Sequence, residues 1–270
     1  MSIIDLQQRF VLSGGSVAGR AHLLAGGGNQ DAAIWRCAPH GLVAVVTDGC
    51  SAGKQSEVGA HLVARLVATA LHASMANSNT PIDELLEGTR RATLQHLAAL
   101  APALSDDLQD TVRCLLLCTV VGLLVTAEVT AVFALGDGYY AVNGEEHRLG
   151  PFLGNAPPYL AYGLLAGDPE THPPALRFHI CQQLPTADVQ SLLIGSDGLV
   201  DLAAAAEQQL PGGNERVGPL TQFWTDPRFT THPDRVRRRL AQANRSVSGQ
   251  PALLSDDTTL IVVRRREEST

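Results

Sequence analysis

The stretch LVAVVTDG, residues 42–49, places an aspartate and a glycine directly after a run of small and β-branched apolar residues. A short run of this kind, bounded by turn-forming residues, predicts a buried β-strand. The design recurs in VFALGDG (132–138) and LLIGSDG (192–198), and SDDTTLIVV (255–263) reverses it by placing two aspartates before the apolar run. The sequence therefore predicts several strands that each carry a carboxylate at one end.

These strand-end aspartates indicate a site for a divalent cation. A rigid strand fixes the short carboxylate, and the adjoining glycine lets the backbone turn sharply or approach a ligand closely. Gathered carboxylates repel one another unless an ion such as Mg²⁺ or Mn²⁺, which prefers oxygen ligands, lies between them. The alternative is that each Asp-Gly pair only forms a hairpin turn. Three pairs after apolar runs, with a further acidic pair before one, favour the cation site.

The rest of the chain predicts helices between the strands. Apolar residues recur at a helical period over Glu57–Met75 and again over Pro81–Leu100. Thr80 is the expected N-cap of the second helix and Pro81 its first residue. A weaker helix is expected over Asp234–Ala243. The overall acidity of the chain favours a solvated face over a nucleic-acid patch for its arginines, which are Arg235, Arg237, Arg238 and Arg239.

The strand predictions follow the apolar runs, and two of these runs form an expected hairpin around Thr126–Glu128. Seven prolines fall between Gly144 and Pro185, which excludes a continuous helix or central strand there and predicts a flap or surface excursion. With no repeat or long linker, residues 1–270 are predicted to form a single domain. The expected strands are Leu42–Val46, Val112–Val125, Val129–Leu135, Leu192–Ile194 and Leu260–Val263.

The composition restricts the class of function. Of the 270 residues, 45% are apolar and 17% charged, which predicts a folded core. The chain has 20 Lys and Arg against 27 Asp and Glu, and the formal charge of -7 argues against a protein that coats nucleic acid or an anionic membrane. Five scattered cysteines favour a reducing compartment. Without a recognisable signal peptide or long apolar span, the expected location is the cytoplasm.

Taken in order, the motifs resemble those of the metal-dependent protein phosphatases of type 2C. The resemblance extends from Asn29 to Val263, and it implies an α+β fold, a four-layer αββα sandwich of two central antiparallel β-sheets flanked by α-helices. The motifs that carry it are NQDA (29–32), VVTDGCSAGKQSEVGA (45–60), ALGDG (134–138), IGSDGLVDL (194–202) and SDDTTLIVV (255–263).

The resemblance also implies a role for individual residues. Asp48 matches the carboxylate that bridges two divalent cations, and Gly49 matches the residue whose carbonyl binds one of them. Asp197 and Asp256 match the remaining ligands of the second cation, and Asp137 matches the ligand of a third, weaker site. Asp31 matches an acidic residue near the coordinated water. Asp257 falls where the family has Asn and is not expected to be a ligand.

The implied reaction is hydrolysis of phosphoserine or phosphothreonine in a protein substrate. Two Mn²⁺ or Mg²⁺ ions, with a third in some members, lower the pKa of a bridging water, and the resulting hydroxide attacks phosphorus in line. The implied partners are a phosphorylated protein and an opposing serine/threonine kinase, with neither nucleic acid nor membrane involved.

Four departures from the family pattern weaken the expected binding of the substrate phosphate. Gly26 stands where the family has a phosphate-binding arginine, and it cannot replace a bidentate guanidinium contact. Gln30 replaces an acidic residue, Cys50 replaces His or Met and is expected to pack structurally, and GDGYY replaces Gly-Asp-Ser-Arg around Gly138. Lys54 is interpreted as an exposed loop residue.

Two other hypotheses therefore stand beside the phosphatase. One is a catalytically weak or inactive phosphatase-like module that binds a phosphoprotein and regulates it. The other is an unrelated β-sandwich whose Asp-Gly pairs are ordinary turns.

Overall fold

The computed structural model describes residues 6–76, 80–232 and 234–266, and in it the apolar runs form two antiparallel five-stranded sheets. Sheet I has the strand order β2-β3-β4-β5-β8, and sheet II the order β1-β10-β9-β6-β7. The strands are β1 (Phe10–Val17), β2 (Asp31–Ala38), β3 (Gly41–Gly49), β4 (Cys118–Val125), β5 (Val129–Leu135), β6 (Gly138–Val142), β7 (Glu145–Leu149), β8 (His179–Pro185), β9 (Ser191–Gly195) and β10 (Thr258–Arg265).

The helices cover the outer faces of both sheets. Helices α3 and α4 pack on sheet I, and α6 to α9 contribute to the core on the far side of sheet II. The predicted αββα sandwich is therefore confirmed. The helices are α1 (Leu6–Arg9), α2 (Arg20–Leu24), α3 (Ser56–Ser74), α4 (Ile82–Leu104), α5 (Leu108–Thr111), α6 (Leu199–Ala204), α7 (Gln222–Thr225), α8 (Arg228–Thr231) and α9 (Arg235–Ala243).

Strand β3 shows why an unbroken apolar run is needed at the centre of this fold. Successive side chains point to opposite faces of a strand. Val43 and Val45 accordingly join the core beneath the helices of sheet I, whereas Ala44 and Val46 join the core between the sheets. Both faces are buried, so the run does not alternate with polar residues.

The hairpin around Thr126–Glu128 is confirmed, but the strand before it is shorter than Val112–Val125. Strand β4 begins only at Cys118, and Val112–Leu116 forms a π-helical turn. A side chain at Gly59 of α3 would clash with the carbonyl oxygen of Leu115, so this turn packs directly on the helix backbone. The run from Leu115 to Val125, which carries no charged residue, gives no sequence signal for the change of structure.

The second long helix is displaced from its predicted bounds. Pro81 has φ −56° and ψ 147°, an extended conformation, so it occupies the N-cap position and Thr80 lies outside the helix. At the other end the helix continues past Leu100, because Ala101 is buried and prolongs the apolar face.

Helix α9 confirms the weaker helix and corrects one detail of its arginine face. Arg237 and Arg238 are exposed as expected. Arg239 is only 4% exposed, and it donates to the Glu215 carboxylate at 2.6 Å. Val236 and Leu240, which bracket it on the same side, face the core of sheet II, so the position of Arg239 follows from the helical period.

The proline-rich stretch Gly144–Pro185 is bounded by β7 and β8 and contains short 3-10 helices between them. One of these, Leu160–Leu164, buries Leu160 and Ala161 in the core of sheet I. The stretch is fastened to α4 by Arg90, a fully buried side chain. Arg90 donates to Glu87 at 2.6 and 2.8 Å, to Nδ1 of His172 at 2.9 Å and to the Pro169 carbonyl oxygen at 3.0 Å.

In the part of the chain that the structure describes, no helix combines the length and apolarity that a membrane crossing requires.

Candidate metal centre

The aspartates at the strand ends meet in one small cavity of about 60 Å³ at the edge of both sheets. Asp48 reaches it from the end of β3, and Asp137 from the turn between β5 and β6. Asp197 follows β9 and Asp256 precedes β10, so these two come from sheet II. Gly49 also lines the cavity. Four predicted carboxylates and the predicted carbonyl residue thus share one site.

Asp31 lies behind this cavity, beside Asp48. The two residues are direct partners on the neighbouring strands β2 and β3. The hydroxyl of Ser196 donates to Oδ2 of Asp31 at 2.7 Å, and the Thr259 amide donates to that hydroxyl at 3.0 Å. Asp31 is 2% exposed, and this burial raises its pKa from 3.8 to about 7, although the hydrogen bond from Ser196 acts in the opposite direction.

Without a positive counter-charge, the carboxylates that line the cavity repel one another. Burial raises the pKa of Asp48 well above its ordinary value, and the charges of Asp31, Asp197 and Asp256 raise it further. Burial likewise raises the pKa of Asp137 and of Asp256. No lysine or arginine is among the described residues that line the cavity.

Two buried oxygens in this region have no hydrogen-bond partner among the described residues. They are Oδ1 of Asp31 and Oδ1 of Asp197. A buried polar atom without a partner costs about 1–3 kcal/mol, and a charged one costs more. A set of carboxylate oxygens in this state fits hard divalent cations such as Mg²⁺ and Mn²⁺.

Asp257 is a buried carboxylate that accepts hydrogen bonds from two backbone amides, and its ligand atoms lie within 4.8 Å of those of His22 and Asp256. Its Oδ1 accepts from the Gly19 amide at 2.6 Å, and its Oδ2 accepts from the Gln30 amide at 2.5 Å. The same Oδ2 lies 2.9 Å from Nδ1 of His22. Asp257 therefore ties the start of β10 to the segments that precede α2 and β2.

Sequence reasoning missed two residues that support the site. His22 lines the cavity from α2, and nothing in the spacing of nine scattered histidines distinguishes it. Asp201 in α6 accepts from the amides of Ser255 at 2.8 Å and Asp256 at 3.4 Å, so it shapes the loop that presents Asp256. The signal for Asp201 was available, since it is part of the motif IGSDGLVDL.

The remaining walls come from the loop after β3 and from the proline-rich stretch. Asn155, Pro157 and Tyr159 of that stretch line the cavity beside Cys50. Cys50 also packs against the core of sheet I, so it faces the site and serves as packing at the same time. The proline-rich stretch therefore forms one wall of the cavity.

Two positions that depart from the family pattern, Gly26 and Tyr139, lie outside the cavity lining, and so does Lys54. Gly26 has φ +76°, and no atom lies within 4 Å of a Cβ built on it, so the position faces open space. Lys54 is exposed, as expected. Tyr139 packs in the core of sheet II, and its hydroxyl donates to Glu146. None of the three places a positively charged side chain in the cavity.

Among known proteins, the family model described as protein phosphatase 2C matches residues 18–248 of this chain. No curated protein sequence matches the chain.

Solved structures share its fold. A bacterial serine phosphatase superposes with a TM-score of 0.59 at 15% identity, covering 96% of this chain and 99% of the other. The catalytic domain of the serine/threonine phosphatase PstP, in complex with two manganese ions, gives 0.53 at 15% identity over 96% and 99%. The phosphatase Stp1 from Staphylococcus aureus gives 0.52 at 17% identity over 95% of each chain.

Proposed function

This chain belongs to the protein phosphatase 2C family, and from that premise we propose that it is a Mn²⁺- or Mg²⁺-dependent phosphatase of phosphoserine and phosphothreonine in proteins. The observation that carries the proposal is the convergence of Asp48, Asp137, Asp197 and Asp256 on one cavity without a lysine or arginine. The manganese ions of the PstP domain support the choice of cation. The unrelated-sandwich hypothesis is excluded by the family match.

Each carboxylate has a defined task in this proposal. Asp48, Asp197, Asp256 and the carbonyl oxygen of Gly49 would hold two cations, and Asp137 would hold a third. When bound, the cations activate water and offset the charge on the phosphoryl group.

Asp31 acts through its proximity to Asp48. The hydroxyl of Ser196 holds one oxygen of Asp31, and the other is free to orient water in the cavity. Asn155, Pro157 and Tyr159 exclude bulk water from one side of the cavity and contact the substrate there. The expected partners are a phosphorylated protein and the kinase that opposes the reaction, and the proposed location is the cytoplasm.

The decisive experiment is hydrolysis of a phosphoserine or phosphothreonine peptide in the presence of Mn²⁺. The wild-type protein should release phosphate, and the Asp48→Asn variant should lose at least about 100-fold in kcat, since it removes the carboxylate shared by both cations. Asp83→Asn, at an exposed position of α4, is the matched control and should retain full activity. Turnover that survives both Asp48→Asn and chelation would refute the assignment.

A second candidate function is a phosphoprotein-binding module without turnover. One observation favours it: the position of the family's phosphate-binding arginine holds Gly26, with no neighbouring atom within 4 Å of its would-be Cβ. Isothermal titration calorimetry with Mn²⁺ and with a phosphopeptide separates the two candidates. Binding of both ligands without release of phosphate would support the module, whereas phosphate release with multiple turnovers would support the enzyme.

A further inference from the structure

His22 has a fixed orientation at the edge of the cavity. Its Nδ1 lies 2.9 Å from Oδ2 of Asp257, a residue that is 2% exposed. A carboxylate is an acceptor, so Nδ1 carries the proton of this hydrogen bond. Asp257 cannot turn away, because Gly19 and Gln30 donate their backbone amides to its two oxygens.

This hydrogen bond determines the chemistry of the opposite ring nitrogen. A neutral imidazole that is protonated at Nδ1 has its lone pair on Nε2. Nε2 lies 3.7 Å from Oδ1 of Asp256. Both His22 and Asp256 line the cavity. Histidines that bind metals almost always donate their second ring N–H to a carboxylate or carbonyl, which is the arrangement of His22 with Asp257.

The separation of the two atoms allows a shared cation. Metal–ligand bonds to imidazole nitrogen and carboxylate oxygen are about 2.0–2.2 Å long, so one ion reaches two atoms up to roughly 4.2 Å apart. The donor atoms of His22 and Asp256 fall within that span. Asp257 accepts three hydrogen bonds from the protein, two of them on Oδ2, and we assign it the task of orienting His22.

We infer that Nε2 of His22 is a nitrogen ligand of the cation held by Asp256, and that Asp257 is the positioning residue that fixes the tautomer and ring of His22. The inference rests on the proposed function, which supplies the cation. It gives this chain a mixed nitrogen and oxygen site. Imidazole suits transition metals, whereas Mg²⁺ prefers oxygen ligands and keeps its waters. The site therefore favours Mn²⁺ and its transition-metal neighbours over Mg²⁺.

Pulsed electron paramagnetic resonance of the full chain loaded with Mn²⁺ tests this without any measurement of activity. The echo envelope of wild-type protein should show modulation by a directly bound ¹⁴N nucleus, which changes as expected when histidine is labelled with ¹⁵N. His22→Gln should lose the modulation. The control is His61→Gln, on the exposed side of α3, which should keep it. Circular dichroism checks that both variants are folded.

Competition between Mn²⁺ and Mg²⁺, followed by calorimetry, gives a second measurement. The preference of wild-type protein for Mn²⁺ should fall about tenfold in His22→Gln and stay unchanged in His61→Gln. Bound Mn²⁺ without nitrogen modulation in wild-type protein would overturn this inference and leave the phosphatase proposal standing. A wild-type protein that binds no Mn²⁺ would overturn both.

Discussion

Asp31 and Asp48 lie side by side on adjacent strands, Asp31 buried and Asp48 half-buried at the cavity. A buried carboxyl holds its proton to higher pH than the same group in the unfolded chain. For Asp31 the two pKa values are about 7 and 3.8. Between them the folded state binds more protons than the unfolded state, so the free energy of unfolding falls as pH rises.

We therefore expect the metal-free protein to lose stability between about pH 4 and pH 7. The free energy of unfolding should fall by about 1.4 kcal/mol per pH unit for each proton that is bound in the folded state but not in the unfolded state. Asp31→Asn should flatten the curve, and Asp83→Asn, which changes an exposed carboxylate, should not. Urea unfolding in EDTA over this range provides the measurement. Stability of wild-type protein that rises with pH over the same interval would contradict the expectation.

A second prediction at this scale concerns Asp201, whose Oδ2 accepts from the backbone of Ser255 and Asp256. Asp201→Ala should weaken Mn²⁺ binding about tenfold, because the loop that presents Asp256 loses its anchor. Asp83→Ala serves as the control. Calorimetric titration with Mn²⁺ measures the effect, and an unchanged affinity would show that the loop holds its shape without Asp201.

The sequence predicted the positions of residues that repeat a pattern and missed those that do not. Asp48, Asp137 and Asp197 each follow an apolar run, and this repetition together with the family resemblance predicted that they share a cation site. His22 reaches the cavity from α2, far along the chain from Asp257. Its position depends on a tertiary contact that no local pattern encodes.

Among the elements, α4 and the proline-rich stretch are joined through Arg90. This guanidinium is fully buried and donates to Glu87, His172 and the Pro169 carbonyl. The hydrogen bond from Arg90 is the main reason that the pKa of Glu87 falls to about 2. The anchor holds the middle of the stretch whose Asn155 and Tyr159 line the cavity.

Arg90→Met should cost about 2 kcal/mol or more of stability, because it leaves the buried groups around it without their donor. Arg91→Met is a closely matched control. Arg91 is the next residue, carries the same charge and pairs both with Glu87 and with Glu170 of the proline-rich stretch, but its side chain is 41% exposed. The Arg91→Met substitution should lower the free energy of unfolding by about 0.5 kcal/mol or less. Chemical denaturation of both variants measures the difference, and equal losses would contradict the anchoring role.

Element boundaries were harder to predict than element types. The apolar run from Leu115 to Val125 reads as one strand, yet its start belongs to a π-helical turn and β4 begins at Cys118. The contact that decides this is the close approach of Leu115 to Gly59 of α3. Hydrophobic periodicity cannot register such a contact, since the residues remain apolar and buried in either structure.

For the molecule as a whole, cation binding and folding are linked. A ligand that binds only the folded state stabilises it by about 2.7 kcal/mol at 100 times its dissociation constant. Two divalent cations would also change the formal charge of -7 to -3, which lessens repulsion in the folded chain.

Mn²⁺ should therefore raise the Tm of the wild-type protein, and EDTA should reverse the change. Asp48→Asn should raise the Tm of the metal-free protein, because it removes a carboxylate that is repelled by Asp31, Asp197 and Asp256, and should abolish the response to Mn²⁺. Differential scanning calorimetry with and without Mn²⁺ measures both effects. A Tm of the wild-type protein that does not depend on Mn²⁺ would contradict the proposed cation site.

The proposed ligands belong to both halves of the sandwich. Asp48 ends a strand of sheet I, whereas Asp197 and Asp256 flank neighbouring strands of sheet II, and the side chains of Leu123 and Ile261 pack in the layer between them. A cation that touches both halves is sensitive to their spacing. Natural selection for catalytic activity would therefore also act on interior residues that never contact the substrate. The packing of the sandwich core and the reaction would both be constrained by the spacing of the two sheets.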